Sequence, residues 1–185
     1  MKKWLLPVGI IVILAMILSS GYNNLVKLSE SVNSSWSQVE NQLQRRADLI
    51  PNLVQTVKGY AAHEEGIFTQ VAEARAKLAG AATVGEAAQA DQALNSALGR
   101  LLAIAENYPL LKADANFRAL QDELAGTENR IATARMDYNN TVQAYNTKIK
   151  VIPTSIYAGI LGFGPRDYFE AAESAKDVPN VDFSK

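Results

Sequence analysis

Residues 117–152, FRALQDELAGTENRIATARMDYNNTVQAYNTKIKVI, place an apolar or aromatic residue at every seventh position: Phe117, Leu124, Ile131, Tyr138, Tyr145 and Ile152. Leu120, Ala134 and Thr141 fill the intervening positions of the same stripe. A seven-residue spacing held this long predicts one helix of nearly forty residues, packed against its neighbours in the left-handed, coiled-coil manner. At 1.5 Å per residue such a helix is roughly 60 Å long.

Working back toward the N-terminus, the stripes keep the helical period. Ala93, Leu94, Ala97, Leu98, Leu101, Leu102 and Ala105 mark a third helix, closed by Asn107-Tyr108-Pro109. Leu53, Val54, Val57, Tyr60, Ala61, Phe68, Val71, Ala74 and Leu78 mark a second, which ends in the small-residue loop Gly80–Gly85. Leu25, Leu28, Val32, Trp36, Val39 and Leu43 step by threes and fours along a first helix. That helix is expected to stop near Asp48, ahead of Pro51, with Asp48 or Asn52 capping the next and Arg45-Arg46 suiting a C-terminal turn. No strand alternation or Asn-Gly hairpin competes with this pattern.

Ahead of the first stripe, Trp4 to Tyr22 carries no charge, Lys2 and Lys3 precede it, and the next charge is Lys27. Eighteen or so residues at 1.5 Å each come to roughly 27 Å, enough to cross a hydrocarbon core. Pro7 is tolerated in a first turn, and Trp4 and Tyr22 stand where interfacial aromatics belong. A cleaved signal peptide is the competing reading, with Ser19 and Gly21 as small residues at cleavage spacing. The length of the run and the helical pattern that leaves it favour an uncleaved anchor. The two lysines place the N-terminus in the cytoplasm and the remaining chain outside it.

The expected fold class is therefore all-α: a single N-terminal transmembrane helix continuing into an antiparallel four-helix bundle with long coiled-coil-like helices. Residues 1–22 form the lysine stub and anchor, 23–151 the bundle, and 152–185 an apolar membrane-proximal segment with a C-terminal tail. Helix four would outrun the aqueous part of helix one, which covers roughly 39 Å to Ala47. Either the far tip projects, or the end of helix four reaches the membrane. Ile152 to Phe163 contains no charge, too short to span but apolar enough to lie at an interface or fold over the bundle base. Tyr22, Ile156, Tyr157, Ile160, Leu161 and Phe163 are its candidate membrane-proximal residues.

Composition narrows the chemistry. The 185 residues hold 18 Lys+Arg against 19 Asp+Glu, one histidine and no cysteine. Near-neutral charge lacks the basic footprint of a nucleic-acid binder. Without cysteine there are no disulfides, thiolate metal sites or thiol catalysis. His63-Glu64 is not a zincin motif, because position 67 is Ile67, and one histidine cannot supply the paired motifs of a di-iron bundle. Glu64 falls near the apolar stripe, where Arg75, Arg45 or Arg46 could partner it. Gly159-x-x-Gly162-x-Gly164 lacks the spacing and strand context of a dinucleotide loop. Ala15 and Ser19 form a small-xxx-small pair through which anchors could pack. No catalytic residue, metal ligand or cofactor site is assigned.

The run Gln42 to Val54 (QLQRRADLIPNLV), with Val57-Lys58-Gly59-Tyr60 and His63-Glu64 behind it, resembles the signature of the LemA family of bacterial membrane proteins. Tyr22-Asn23-Asn24-Leu25-Val26, Trp36-Ser37-Gln38-Val39-Glu40, Asn107 to Ala113, Glu128-Asn129-Arg130-Ile131, Phe163-Gly164 and Tyr168-Phe169 extend the likeness along the chain. The resemblance implies one N-terminal anchor, a helical domain and no assigned catalytic residue. It also implies genomic neighbours such as membrane metalloproteases and other envelope proteins. The expected function is a non-enzymatic scaffold at the bacterial inner membrane that self-assembles or recruits partners. Membrane lipid, further copies of itself and an envelope metalloprotease or other membrane protein are the expected partners, and nucleic acid is not. The alternatives are an adaptor or regulator of a membrane protease or sensor, acting through Arg45, Arg46, Asp48, His63 and Glu64, and a membrane-shaping role for residues 152–163. An enzyme using His63 and Glu64 is the remaining reading.

Overall fold

A computed structural model describes residues 5–61 and 63–170. Lys2, Lys3, Trp4 and the tail from residue 171, on which part of the sequence reading rests, lie outside them. The described residues form helices and no strand. In order these are α1 (Leu5–Lys58), α2 (Glu65–Ala79), α3 (Val84–Ala105), α4 (Pro109–Ala113), α5 (Ala115–Lys150) and α6 (Thr154–Tyr157).

The largest departure from expectation is that α1 runs through Pro51 instead of ending near Asp48. A proline inside a helix leaves the carbonyl four residues earlier without its donor. Here that carbonyl belongs to Ala47, and the Nε–H of Arg75 donates to it at 2.8 Å. The helix therefore loses no buried hydrogen bond and continues to Lys58. Neither expected cap forms: Asp48 accepts instead from Gln44 Nε2 at 2.8 Å, and Asn52 lies within the helix. The expected second helix is accordingly split between Lys58 and Glu65, where Gly59, a poor helix former, begins the turn. With this extension, α1 beyond Tyr22 has about as many residues as the 36 of α5, which removes the expected length mismatch.

The later boundaries have local causes. Thr83 opens α3 with a capping box: its hydroxyl accepts from the Glu86 N–H at 3.2 Å, while the Glu86 carboxylate accepts from the N–H groups of Ala82 and Thr83. This places Gly85 in the first turn of α3 rather than in the loop. Pro109 occupies the first turn of α4. Asp114 caps α5, its Oδ1 accepting from the Phe117 N–H at 2.9 Å. Lys148 and Lys150 close α5. Ile152 falls in the turn beyond it and is 81% exposed, so the heptad seam ends at Tyr145 and not at Ile152.

The chain divides into two compact units. One combines α1 as far as Ser37 with Met136–Asp167, the other Gln38–Arg135 with Tyr168, Phe169 and Glu170. In the first, Leu25, Val32, Tyr138, Val142 and Tyr145 are buried, and the rings of Trp36 and Tyr138 meet at 5.3 Å. In the second, Val39, Leu53 and Val57 of α1 are buried, as are Val71 of α2, Leu94 and Leu101 of α3, and Phe117 and Ile131 of α5. Here α2 packs against α3. The start of α1 is the one stretch among the described residues long and apolar enough to cross a membrane, and its side chains Val8, Ile11, Val12, Ile13, Met16, Ile17 and Leu18 are exposed.

Candidate functional site

Within the second unit the residues expected to form an interaction surface go to different fates. Arg45 is exposed and donates to Glu123 Oε1 at 2.8 Å, an oxygen it shares with Arg130. Asp48 and His63 are exposed, and Glu64 is half-buried in the turn before α2. Arg46 is turned inward and is only 5% exposed. Arg45, Arg46 and Arg75 each bind elsewhere, so none is the partner expected for Glu64.

Arg46 instead centres a buried ion network. Its Nη1 donates to Glu128 Oε2 at 2.6 Å and to Asp91 Oδ1 at 3.3 Å, and its Nη2 donates to Asn95. Asp91 has no exposed surface and also accepts from Arg135 Nη2. The Arg135 guanidinium lies over the Phe169 ring at 4.4 Å. Burial pulls the Arg46 pKa below its ordinary value, and the nearby Glu128 carboxylate opposes that pull. Burial also lowers Arg135, helped by the like charge of Arg46. Both guanidinium Nε atoms are buried without a hydrogen-bond partner among the described residues. The network pairs charge with charge, and its outer member Glu128 is partly exposed. Among the described residues no three His, Cys, Asp or Glu stand together as metal ligands.

Sequence reasoning missed Asp91, although a signal was present. It shares its face of α3 with Ala87, Ala90, Leu94 and Leu98, all buried, and a carboxylate on an apolar face requires a cation.

Within the first unit the candidate membrane-proximal residues do gather. The Tyr157 hydroxyl sits directly over Gly21, where any Cβ would collide with it. The Tyr22 and Phe163 rings meet edge to face at 5.8 Å. A groove of about 560 Å³ is lined by Leu18, Ser19, Tyr22, Asn23, Tyr157, Ile160 and Leu161. Gly162, at φ 81°, supplies the backbone turn that brings the Phe163 N–H to the Ala158 carbonyl at 2.9 Å. Ile156 remains exposed beside the groove.

Beyond the groove, residues 164–167 form a strap held by side chains of α5. Tyr145 donates to the Gly164 carbonyl at 3.0 Å and Tyr138 to the Asp167 carbonyl at 2.8 Å. The Asn146 amide makes two bonds to Arg166, donating to its carbonyl and accepting from its N–H, each at 2.8 Å. The Arg166 guanidinium reaches Ser29 and Asn33 of α1. Burial raises the pKa of the Tyr138 phenol.

The sequence pattern of the LemA family matches residues 35–183. Magnetosome protein MamQ 2 of Paramagnetospirillum magneticum (strain ATCC 700264 / AMB-1) is 32% identical, with 86% of this chain and 68% of the relative covered. Magnetosome protein MamQ of Magnetospirillum gryphiswaldense (strain DSM 6361 / JCM 21280 / NBRC 15271 / MSR-1) is 30% identical over the same shares. With the match spanning both the buried network and the strap, this chain belongs to the LemA family.

Proposed function

We propose that this protein is a non-enzymatic, membrane-anchored helical scaffold of the bacterial envelope, which self-assembles or recruits partners. One observation carries the reading: the helix that begins with the membrane-compatible apolar stretch also supplies Val39, Leu53 and Val57 to the core of the second unit. The apolar stretch and the core of the second unit thus share one helix. Two further points support it. The buried Asp91 and Arg46 are paired with each other and with the half-buried Arg135 and the partly exposed Glu128, and the MamQ relatives are named for the magnetosome and not for a reaction. In this reading the N-terminus is cytoplasmic, the helices form an antiparallel four-helix bundle on the periplasmic side of the inner membrane, and the long helices supply lateral contacts.

Mass photometry of full-length protein extracted in mild detergent tests the assembly. A large uniform particle is expected. A monomer at every concentration would remove self-assembly and leave the adaptor reading, favoured by the exposed Arg45, Asp48 and His63. Crosslinking from those positions, followed by partner identification against an unrelated membrane protein, then tests the adaptor.

A further inference from the structure

The apolar segment after α5 is placed against the anchor by contact, not by sequence adjacency. Ile160 and Leu161 line the same groove as Leu18 and Tyr22, and Tyr157 packs on Gly21. These α1 residues form the last turns of a chargeless run that ends at Lys27. Leu18 lies roughly 13 Å along the helix from Lys27, the first charge after the apolar run, which is more than the thickness of one headgroup layer. Whatever solvent surrounds Leu18 and Tyr22 also surrounds Ile160.

The exposed face of the segment suits that solvent. Ile160 is 86% and Ile156 69% exposed, whereas Ile50, Ile67, Ile131 and Ile149 are all buried. No charge lies between Lys150 and Arg166, so cations bracket the apolar face as they do in segments held at anionic membrane surfaces. Much of its backbone is also satisfied within the segment. The N–H groups of Ser155, Ile156, Ala158, Leu161, Gly162 and Phe163 all donate to carbonyls within residues 151–159. Tyr22, Tyr157 and Phe163 supply aromatic rings of the kind that settle at headgroup level.

We propose that residues 151–163 are an interfacial lipid-binding element: the groove beside Leu18 receives an acyl chain of a bilayer phospholipid, and Ile156 and Ile160 enter the boundary between acyl chains and headgroups. The element rests on the reading of α1 as a membrane anchor and makes the protein grip the bilayer at a second place.

The chain has no cysteine, so single-cysteine variants carry a nitroxide at one defined position. Full-length Ile160→Cys, Ile13→Cys and Ser96→Cys proteins are labelled and reconstituted in phosphatidylcholine/phosphatidylglycerol vesicles. Their relaxation by oxygen is compared with that by a water-soluble nickel complex. The label at position 160 is expected to favour oxygen, at a depth between the anchor label at 13 and the aqueous label at 96. If position 13 reads hydrocarbon and position 160 reads water, the element fails while the anchor stands. If position 13 also reads water, the anchor reading itself fails. Spin–spin broadening at 160 without an oxygen preference overturns the proposal in favour of contact between copies. The groove is probed separately with a phosphatidylglycerol bearing an acyl-chain diazirine. It is expected to label residues 157–161, and Leu161→Asp to abolish that labelling while labelling of the anchor persists. Unchanged labelling in Leu161→Asp would sink the groove assignment.

Discussion

The two units of this chain are held together by different means. The unit built on Gln38–Arg135 buries charge: Arg46 and Arg135 close on Asp91 inside an otherwise apolar packing of helices. The unit built on the start of α1 and residues 136–167 buries no ion pair among the described residues. There, tyrosine and asparagine side chains hold a strap of irregular backbone. An irregular segment cannot satisfy its own peptide groups, so helix side chains must do it, whereas regular helices need nothing from one another except shape and charge balance. The charged unit should therefore respond all-or-none to loss of a partner, and the strapped unit locally.

The largest effect is expected at Asp91. Asp91→Ala leaves the buried Arg46 and the half-buried Arg135 facing each other without their shared carboxylate, with Glu128 the only carboxylate left on Arg46, a loss of about 3–5 kcal/mol. Chemical denaturation in detergent measures it as a fall in the unfolding midpoint. Replacing the group together, with Arg46→Met, Asp91→Leu and Arg135→Met, is expected to cost far less than the single change, because a buried pair is often no stronger than well-packed apolar side chains. A triple variant as unstable as Asp91→Ala would show that the network contributes more than charge balance and would break the contrast drawn above.

At the strap the expected loss is smaller and confined. Asn146→Ala removes both bonds to the Arg166 backbone, and about 1–3 kcal/mol of local stability goes with them. Hydrogen exchange is the sharper probe here than global unfolding. The Arg166 amide should exchange faster by one to two orders of magnitude, roughly a factor of ten per 1.4 kcal/mol, while amides of α2 and α3 stay unchanged. Faster exchange across α2 as well would mean that the strap supports both units and that their construction is not separable.

The same contrast explains what was legible in the sequence. Periodicity reports burial within regular helices, so the seam from Phe117 to Tyr145 could be read directly, and all five of its heptad residues are buried. It failed at Ile152 because the helix had already ended at Lys150. The rule for Pro51 describes a lost donor correctly but cannot see Arg75, twenty-four positions later, supplying another. Asp91 was visible as a polar residue on an apolar face, yet its partners come from α1 and α5. The strap has no period at all. Gly164, Arg166 and Asp167 acquire their positions only from long-range hydrogen bonds, and nothing in their local sequence announces them. In the membrane-proximal segment, composition showed the missing charge, while the packing of Tyr157 on Gly21 required coordinates.

The smallest effect sits at the exposed cap of α5 and shows how little charge matters in the second unit once it is outside the core. The Phe117 N–H, and secondarily the Tyr60 hydroxyl, hold the Asp114 carboxyl below its ordinary pKa of 3.8. The unfolded chain therefore takes up this proton first. The cap's contribution is fully present above 3.8 and is lost as pH falls through the lower folded value. Tyr60 carries the opposite sign. Its bond to Asp114 raises the phenol above 10.0, so that contribution is present below 10.0 and disappears as pH rises through the folded value. Asp114→Asn keeps a cap but no titrating group, and its unfolding midpoint should lie slightly below that of the parent at neutral pH. The two midpoints should converge as the pH falls below 3.8. Because the pair is solvent-exposed, added salt should shrink the difference at neutral pH, whereas the far larger Asp91→Ala loss should barely respond. Equal salt sensitivity at the two positions would mean that the buried network is wetter than its packing indicates.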